Sequence, residues 1–262
     1  MTHLGWDGKA LCRSMMESGI TPALIVCEAR DDAPYYKWPS RMARRVVGNR
    51  IVDRLSRLRL PVDVIATMNW ERTLYDEAQR WLRMAFDPKD EDPEWPSDVP
   101  RVVTHHINDE RIVAKVREAR PDLIMVFGTG MIKKPLLDLP VRGSINAHSS
   151  LLPHYKGPRS EFWQCFNDDP RHVGVTFHMM ASKADAGDIL FQVPTRTTWP
   201  SDPYRMRAAN TLEVLRRYPQ VVKDYLDGNL RPQPQGPSST PVYKLKDQTL
   251  ELRVALKKRI AG

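Results

Sequence analysis

The sequence LIMVF at residues 123–127 is an apolar run of strand length, and SINAHSSLLPHYKG at residues 144–157 begins with a second, shorter strand pattern. A short apolar run bounded by turn residues is typical of a strand that is buried on both faces. Parallel strands of one open α/β sheet end at the same edge, and ligands of such sheets bind there. The pattern therefore predicts that Gly128, Asn146 and His148 all reach one ligand-binding edge.

The rest of the chain alternates between the periodicities of helices and strands. We predict further strands at 23–27, 62–66, 101–104, 172–180 and 189–193, and helices at 9–18, 41–58, 73–84, 110–119 and 203–226. Such alternation indicates a mainly parallel sheet covered on both faces. The predicted fold is α/β, a Rossmann-like doubly wound sheet with helices on both faces and a short C-terminal appendage. We expect a catalytic domain over residues 1–200 and a helical, proline-rich C-terminal extension over residues 201–262.

Three side chains near this edge have the chemistry needed for acyl transfer or hydrolysis. Asn146 and His148 alternate along one strand and therefore project from the same face. An imidazole carries protons near neutral pH, and an amide N–H stabilises an oxyanion as it develops. Asp185 lies in the loop ASKADAGD between two predicted strands, where its carboxylate can orient a histidine. The sequence thus predicts an amide, an imidazole and a carboxylate in one site.

Each of these residues also has an ordinary structural interpretation, and other chemistries fit the sequence less well than acyl transfer. An aspartate in a glycine-bearing loop more often only stabilises a turn, and we assign His178 a structural place on its strand. A serine triad on Ser149 or Ser150 would need a G-x-S-x-G turn, which the sequence lacks. A metal site from His148, His178 and Asp185 would lack the close histidine spacing of helical zinc motifs, so no metal is expected.

The motifs of this region follow one another in a definite order. N-x-H is followed by S-L-L-P-x-Y-x-G, then by G-x-T-x-H and by D-x-G-x-I. This order resembles that of the formyltransferases that use 10-formyltetrahydrofolate, and the resemblance covers residues 110–195. It implies that 10-formyltetrahydrofolate is the formyl donor and that Asn146, His148 and Asp185 are the catalytic trio. It also implies a folate pocket lined by Phe127, Gly128, Thr129, Gly130, Met131, Ile132, Ala181, Ala184 and Gly187.

The family that the chain resembles contains enzymes for three kinds of acceptor: glycinamide ribonucleotide, methionyl-tRNA and aminosugars. The tRNA enzymes carry a further barrel domain, for which the segment after Lys244 is too short. The ribonucleotide enzymes begin with a phosphate-cradling glycine-rich turn, of which residues 5–8, GWDG, are a poor copy. By elimination we expect a small-molecule amine acceptor, a nucleotide-linked aminosugar, with no nucleic-acid or membrane partner and with a homodimer possible. A non-catalytic folate-binding or scaffolding module is the alternative of another class.

Composition and charge agree with a cytoplasmic enzyme. The sequence contains no run of 18 apolar residues and no signal-peptide pattern, and Cys12, Cys27 and Cys165 have no C-x-x-C spacing. Lys and Arg exceed Asp and Glu by 40 minus 32, which gives a net charge of +8. Much of this excess lies on the predicted helix 41–58, whose arginines form either a solvated face or a site for phosphates. Only MTHL precedes Gly5, so the first strand is very short or the true start lies upstream.

Overall fold

The computed structural model describes residues 1–29, 61–89 and 92–261. Its strands are β1 Thr2–His3, β2 Ile25–Glu28, β3 Arg101–Thr104, β4 Ile124–Val126, β5 Ser144–His148, β6 Gly174–Met179 and β7 Ile189–Pro194. Its α-helices are α1 Trp6–Glu17, α2 Val62–Phe86, α3 Glu110–Glu118, α4 Lys134–Leu137, α5 Ser160–Phe166, α6 Pro203–Leu226 and α7 Leu250–Ala261. The predicted helix 41–58 and its arginines lie outside the described residues.

The sheet is mainly parallel. From its middle, the chain runs outward from β1 to β3 on one side and from β4 to β7 on the other. β1, β2 and β3 pair in parallel, and β4 pairs in parallel with β5. An isolated bridge between Thr2 and Phe127 joins β1 to the end of β4, so the strand order is β3-β2-β1-β4-β5-β6-β7. β6 and β7 complete the sheet by antiparallel pairing. The predicted Rossmann-like α/β fold is confirmed, and the gap between β1 and β4 is the kind of switch point at which such sheets bind ligands.

Helices cover both faces of this sheet through separate apolar cores. On one face, Ile145 and Phe177 pack with α1, α2 and α6. On the other face, Val126 packs with α3 and α4. The buried stripe of α3 consists of Ile112, Val113 and Val116, at the spacing of one helix face. These two cores fix the strands whose ends carry the predicted site.

The long helix α6 is tied to the centre of the sheet by a buried tyrosine. Asp202 caps its first turn by accepting hydrogen bonds from the next backbone N–H groups. The Tyr218 hydroxyl lies 2.6 Å from Ile145 O and 3.1 Å from both the N and the O of Val126. Burial raises the pKa of Tyr218 far above its ordinary value, so the phenol stays protonated. The domain boundary at residue 200 stays a prediction, although α6 packs in the same core as the strands.

The strand predicted at residues 62–66 is wrong, because these residues form the first turns of α2. The run contains the β-branched Val62, Val64 and Ile65, but an apolar run of this length does not distinguish a strand from a buried helix segment. In the structure the Asp63 carboxylate accepts the backbone N–H of Val64 at 2.9 Å, within the first helical turn. The helix continues without interruption to Phe86.

The C-terminal part returns across the sheet after α6. Residues 230–244, which we call the crossing segment, pair with β7 through a bridge between Gln233 and Ile189. α7 then packs on α2, where Arg253 and Glu71 form a buried ion pair. Within the described ranges, no helix is both long and apolar enough to cross a membrane.

Candidate active site

Two strands present an amide and an imidazole next to each other. Asn146 on β5 and His178 on β6 are directly opposite in the antiparallel ladder, so their side chains share a face. The Asn146 amide nitrogen lies 3.1 Å from His178 Nε2, and His178 Nδ1 lies 2.8 Å from Met179 O. Because a carbonyl oxygen only accepts, His178 holds its proton on Nδ1 and accepts from the amide on Nε2. His178 therefore lies where it can orient the amide donor.

His148 lies between two oxygen acceptors at the end of β5. Its Nε2 is 2.9 Å from Tyr155 O, and its Nδ1 is 3.6 Å from Asp185 Oδ2. A neutral ring has one N–H for these two oxygens, whereas the imidazolium has one for each. The side chain is 10% exposed, which shields it from bulk water while leaving it within reach of a ligand. The Asp185 carboxylate therefore lies beside Nδ1 of His148, while Tyr155 O occupies its Nε2.

Asp185 reaches the two histidines from the loop between β6 and β7. Its Oδ1 lies 3.6 Å from His178 Nε2, and its Oδ2 accepts the backbone N–H of Gly157 at 2.8 Å. Burial acts to raise the pKa of this carboxyl, but the neighbouring His148 and the Gly157 N–H outweigh burial and hold the pKa well below its usual range. Asp185 is therefore a carboxylate under all ordinary assay conditions. The structure brings together the predicted trio of Asn146, His148 and Asp185.

The loop after β5 supplies the backbone groups that face His148 and Asp185. The Tyr155 N–H donates to Thr240 Oγ1 at 2.7 Å, and the Tyr243 N–H donates to Lys156 O at 2.9 Å. Gly157 has φ +96°, and a Cβ on it would lie 2.1 Å from Tyr243 O, so only glycine fits. The crossing segment thus holds this loop in the conformation that aims Tyr155 O and Gly157 N into the site.

The predicted pocket segment 127–132 is anchored at its ends and open in the middle. Phe127 and Ile132 are buried in the two cores on opposite faces of the sheet. Between them, Gly128 has φ +70°, Thr129 is half-buried and the Met131 side chain is 64% exposed. The Gly130 N–H donates to Glu28 Oε2 at 2.6 Å, and Gly130 O accepts from the Thr129 hydroxyl at 3.0 Å. The exposed group of the segment is therefore the apolar Met131 side chain.

The predicted pocket loop 181–187 also changes from exposed to buried along its length. Ala181 is exposed, Ala184 is half-buried and Gly187 is buried. A Cβ on Gly187 would lie 1.8 Å from Met179 O, so the end of the loop packs tightly on β6. The accessible part of the loop is therefore its beginning, before Asp185.

The first turn of α1 places a carboxylate at the switch point of the sheet. His3 Nε2 lies 3.4 Å from Asp7 Oδ2, and His3 Nδ1 accepts the backbone N–H of Gly5 at 3.1 Å. The His3 ring also packs against Gly128, since a Cβ there would lie 2.7 Å from the ring. A helix N-terminus ordinarily favours anions. Here Asp7 already supplies a negative charge at that position.

Sequence reasoning did not identify three groups that contact the trio. Tyr155 and Gly157 belong to the quoted S-L-L-P-x-Y-x-G motif, but they act through backbone atoms, which a motif of side chains does not reveal. Gln235 donates to Asp185 O at 2.9 Å from the proline-rich crossing segment. No sequence pattern signals that contact.

The sequence model of the formyl transferase family matches residues 49–214, well over half of the chain. Methionyl-tRNA formyltransferase of Pelobacter propionicus is 30% identical over 142 residues, which are 54% of this chain and 44% of that relative. The structure of phosphoribosylglycinamide formyltransferase from Anaplasma phagocytophilum superimposes with a TM-score of 0.53 at 18% identity, and the match covers 93% of this chain and 95% of that one. Glycinamide ribonucleotide transformylase 1 from Symbiobacterium toebii has a TM-score of 0.52 at 17% identity, with 88% and 92% covered. The chain spans less than half the length of the curated relative, and the two structural likenesses support the fold.

Proposed function

The chain belongs to the formyl transferase family, and from that premise we propose that it is an N-formyltransferase acting from 10-formyltetrahydrofolate onto an acceptor amine. The observation that carries the proposal is the meeting of three groups on one face of the sheet: the Asn146 amide, the His148 imidazole and the Asp185 carboxylate. When bound, 10-formyltetrahydrofolate supplies a formyl group on a nitrogen that can leave.

The roles of the trio follow from their contacts. Asn146, with its amide oriented by His178, donates an N–H to the formyl oxygen and stabilises the negative charge that develops there. His148, as the imidazolium, adds a positive charge beside that oxygen and gives its proton to the departing nitrogen, and it is reprotonated by the proton that the acceptor amine loses. Asp185 keeps the imidazolium charged and oriented. One C–N bond forms on the acceptor as another breaks on the donor, and no metal ion is needed.

The groups proposed to hold the donor are those that remain accessible beside the trio. The exposed Met131 side chain beside residues 128–130 offers one surface, and the exposed beginning of the 181–187 loop offers another. An apolar surface with a few polar groups beside it suits a flat heterocycle with polar edges, such as that of a reduced folate.

We further propose a small amine acceptor, with a nucleotide-linked aminosugar as the specific candidate. The support is the Asp7 carboxylate at the N-terminus of α1. A phosphate bound at this position, as glycinamide ribonucleotide would need, meets a like charge, whereas sugar hydroxyls are donors to a carboxylate. In a nucleotide-linked aminosugar, the sugar ring separates the amine from the diphosphate.

Methionyl-tRNA is the second candidate acceptor, because the relative from Pelobacter propionicus bears that enzyme's name. The experiment is a turnover assay with 10-formyltetrahydrofolate and three acceptor classes: nucleotide-linked aminosugars, glycinamide ribonucleotide and methionyl-tRNA. We expect the highest kcat/KM for an aminosugar, with a shallow salt dependence. A tRNA held by many phosphates would show a steep one. Faster formylation of methionyl-tRNA than of every aminosugar would overturn the acceptor assignment.

Two controls separate the acceptor from the reaction. Asp7→Asn removes the carboxylate at the switch point, and Glu17→Gln makes the same chemical change at the far end of α1. We expect Asp7→Asn to change the ratio of aminosugar to ribonucleotide turnover and Glu17→Gln to leave it unchanged. Binding of tetrahydrofolate without turnover of any amine would favour the non-catalytic folate-binding module.

A further inference from the structure

The crossing segment contacts the turn that carries Asp185 through the side chain of Gln235. Its amide nitrogen donates to Asp185 O at 2.9 Å and to Gly187 O at 2.6 Å. A primary amide has two N–H donors, so each carbonyl receives one of them. The Gln235 side chain therefore closes the turn on both sides of Ala186.

This turn has few other supports. Asp185 has φ +49°, a conformation that costs free energy for a residue with a Cβ unless neighbouring contacts hold it. Residues 181–183 before it are exposed, so little apolar burial fixes the loop there. Gln235 is fifty positions away in sequence from Asp185, so its contact is tertiary and is not part of the turn itself.

The amide oxygen of Gln235 points to the reason why the residue is an amide. Among the described residues, Gln235 Oε1 is buried and makes no hydrogen bond. A buried acceptor without a partner is unfavourable, so the amide oxygen gives no reason for a glutamine at this position. The two hydrogen bonds that the amide nitrogen donates to the Asp185 turn do give one.

We propose that Gln235 is a positioning residue that holds the Asp185 turn so that the carboxylate stays between His148 and His178. The inference rests on the proposed function, because it takes Asp185 as a member of the catalytic trio. Gln235 acts through the backbone of Asp185, and its amide donors are both used by that turn.

The crossing segment provides its own matched control. The backbone N and O of Gln233 both pair with Ile189 at 2.8 Å, so the segment is anchored on β7 independently of Gln235. The Gln233 side chain is exposed and reaches only Arg231 O, at 3.5 Å. Gln235→Met keeps the length of the side chain and removes both donors, and Gln233→Met makes the same change two residues away.

We expect Gln235→Met to lower kcat about tenfold to a hundredfold, the loss that a displacement of about 1 Å of a catalytic group causes. Gln233→Met should leave kcat unchanged. The split between kcat and the binding of tetrahydrofolate is the reading that a purely structural role would not give. Gln235 contacts the Asp185 turn and not the exposed residues 181–183. In Gln235→Met, kcat should therefore fall while the Kd for tetrahydrofolate stays that of the wild type.

A second measurement does not depend on turnover. Carboxyl ¹³C NMR near neutral pH, with Asp185→Asn to assign the signal, compares the chemical shift of the Asp185 carboxylate in the wild type, Gln235→Met and Gln233→Met. A shift that changes in Gln235→Met alone supports positioning even if no amine is ever formylated, in which case the proposed function alone fails. An unchanged shift together with an unchanged kcat would overturn the inference. If Gln235→Met and Gln235→Ala both fail to fold while Gln233→Met folds, the amide serves the fold and the inference is also overturned.

Discussion

Asn146 and Asp185 meet in one site but are held there by supports of opposite kinds. Asn146 lies on β5, which is hydrogen-bonded to a strand on each side. Asp185 lies in a loop and is held by single contacts from Gly157 and Gln235. Ladder hydrogen bonds use backbone atoms and survive most substitutions, whereas the loop contacts depend on particular residues. We call β5, with Asn146 and His148, the strand half of the site, and the loop with Asp185 the loop half. Changes outside the trio should therefore alter the chemistry mainly through the loop half.

The largest effect tests whether the two halves work as a unit. His148→Ala on the strand side and Asp185→Asn on the loop side should each lower kcat by about a hundredfold to ten-thousandfold, because each removes part of one charged pair that moves the proton. Single-turnover formylation measures the loss, and tetrahydrofolate binding should change little. Asp188→Asn, an exposed aspartate of the same loop, is the control. Near-normal turnover in either of the first two variants would show that the halves are independent.

A smaller effect should come from the loop half alone. Gly157→Ala places a Cβ 2.1 Å from Tyr243 O at φ +96°, so the loop and the crossing segment must separate. We expect a loss of about 1–3 kcal/mol in the free energy of unfolding, with a fall in kcat because Asp185 loses its backbone donor. Gly236→Ala is the control, since a Cβ there meets nothing within 4 Å. Urea unfolding and kcat are the measurements, and equal behaviour of the two variants would contradict the comparison.

The smallest effect should come from Asp169, which does not contact the trio but accepts the hydroxyl of Tyr155 at 3.1 Å. Burial acts to raise the pKa of Asp169, but hydrogen bonds from Arg171, His172 and the Tyr155 hydroxyl lower it to about 2. A lowered pKa in the folded state stabilises the protein above the ordinary value of 3.8, and this stability is lost as pH falls toward 2. The difference in Tm between the wild type and Asp169→Asn should therefore be larger near neutral pH than in acid. Thermal unfolding at both pH values measures it, and a difference that grows in acid would refute the assignment.

The sequence predicted what short-range patterns encode. The strand at residues 101–104 and the helix at residues 203–226 occur where predicted, because local apolar spacing and caps specify them. The strand at 62–66 failed because its β-branched residues outweighed the longer helical pattern that follows. Asn146 and His148 were found because they are neighbours on one strand.

The loop half of the site was less accessible to sequence reasoning. Asp185 was proposed from its place in the loop between two predicted strands, and the family resemblance then assigned it to the catalytic trio. Its contact with Gln235 joins two loops whose relative positions only the tertiary fold determines. Contacts of this kind depend on packing between distant segments, which no periodicity records.

The position of the crossing segment in the sequence sets an order in which the site can form. The contact of Tyr155 with Thr240 spans 85 residues, and such non-local contacts close late because a long loop must first lose its freedom. On the ribosome, Asn146, His148 and Asp185 all emerge before residues 235–243 do. We therefore expect a nascent chain to contain the complete trio for a time without an ordered site, so that the proposed formyl transfer can begin only once residues 235–243 have folded back.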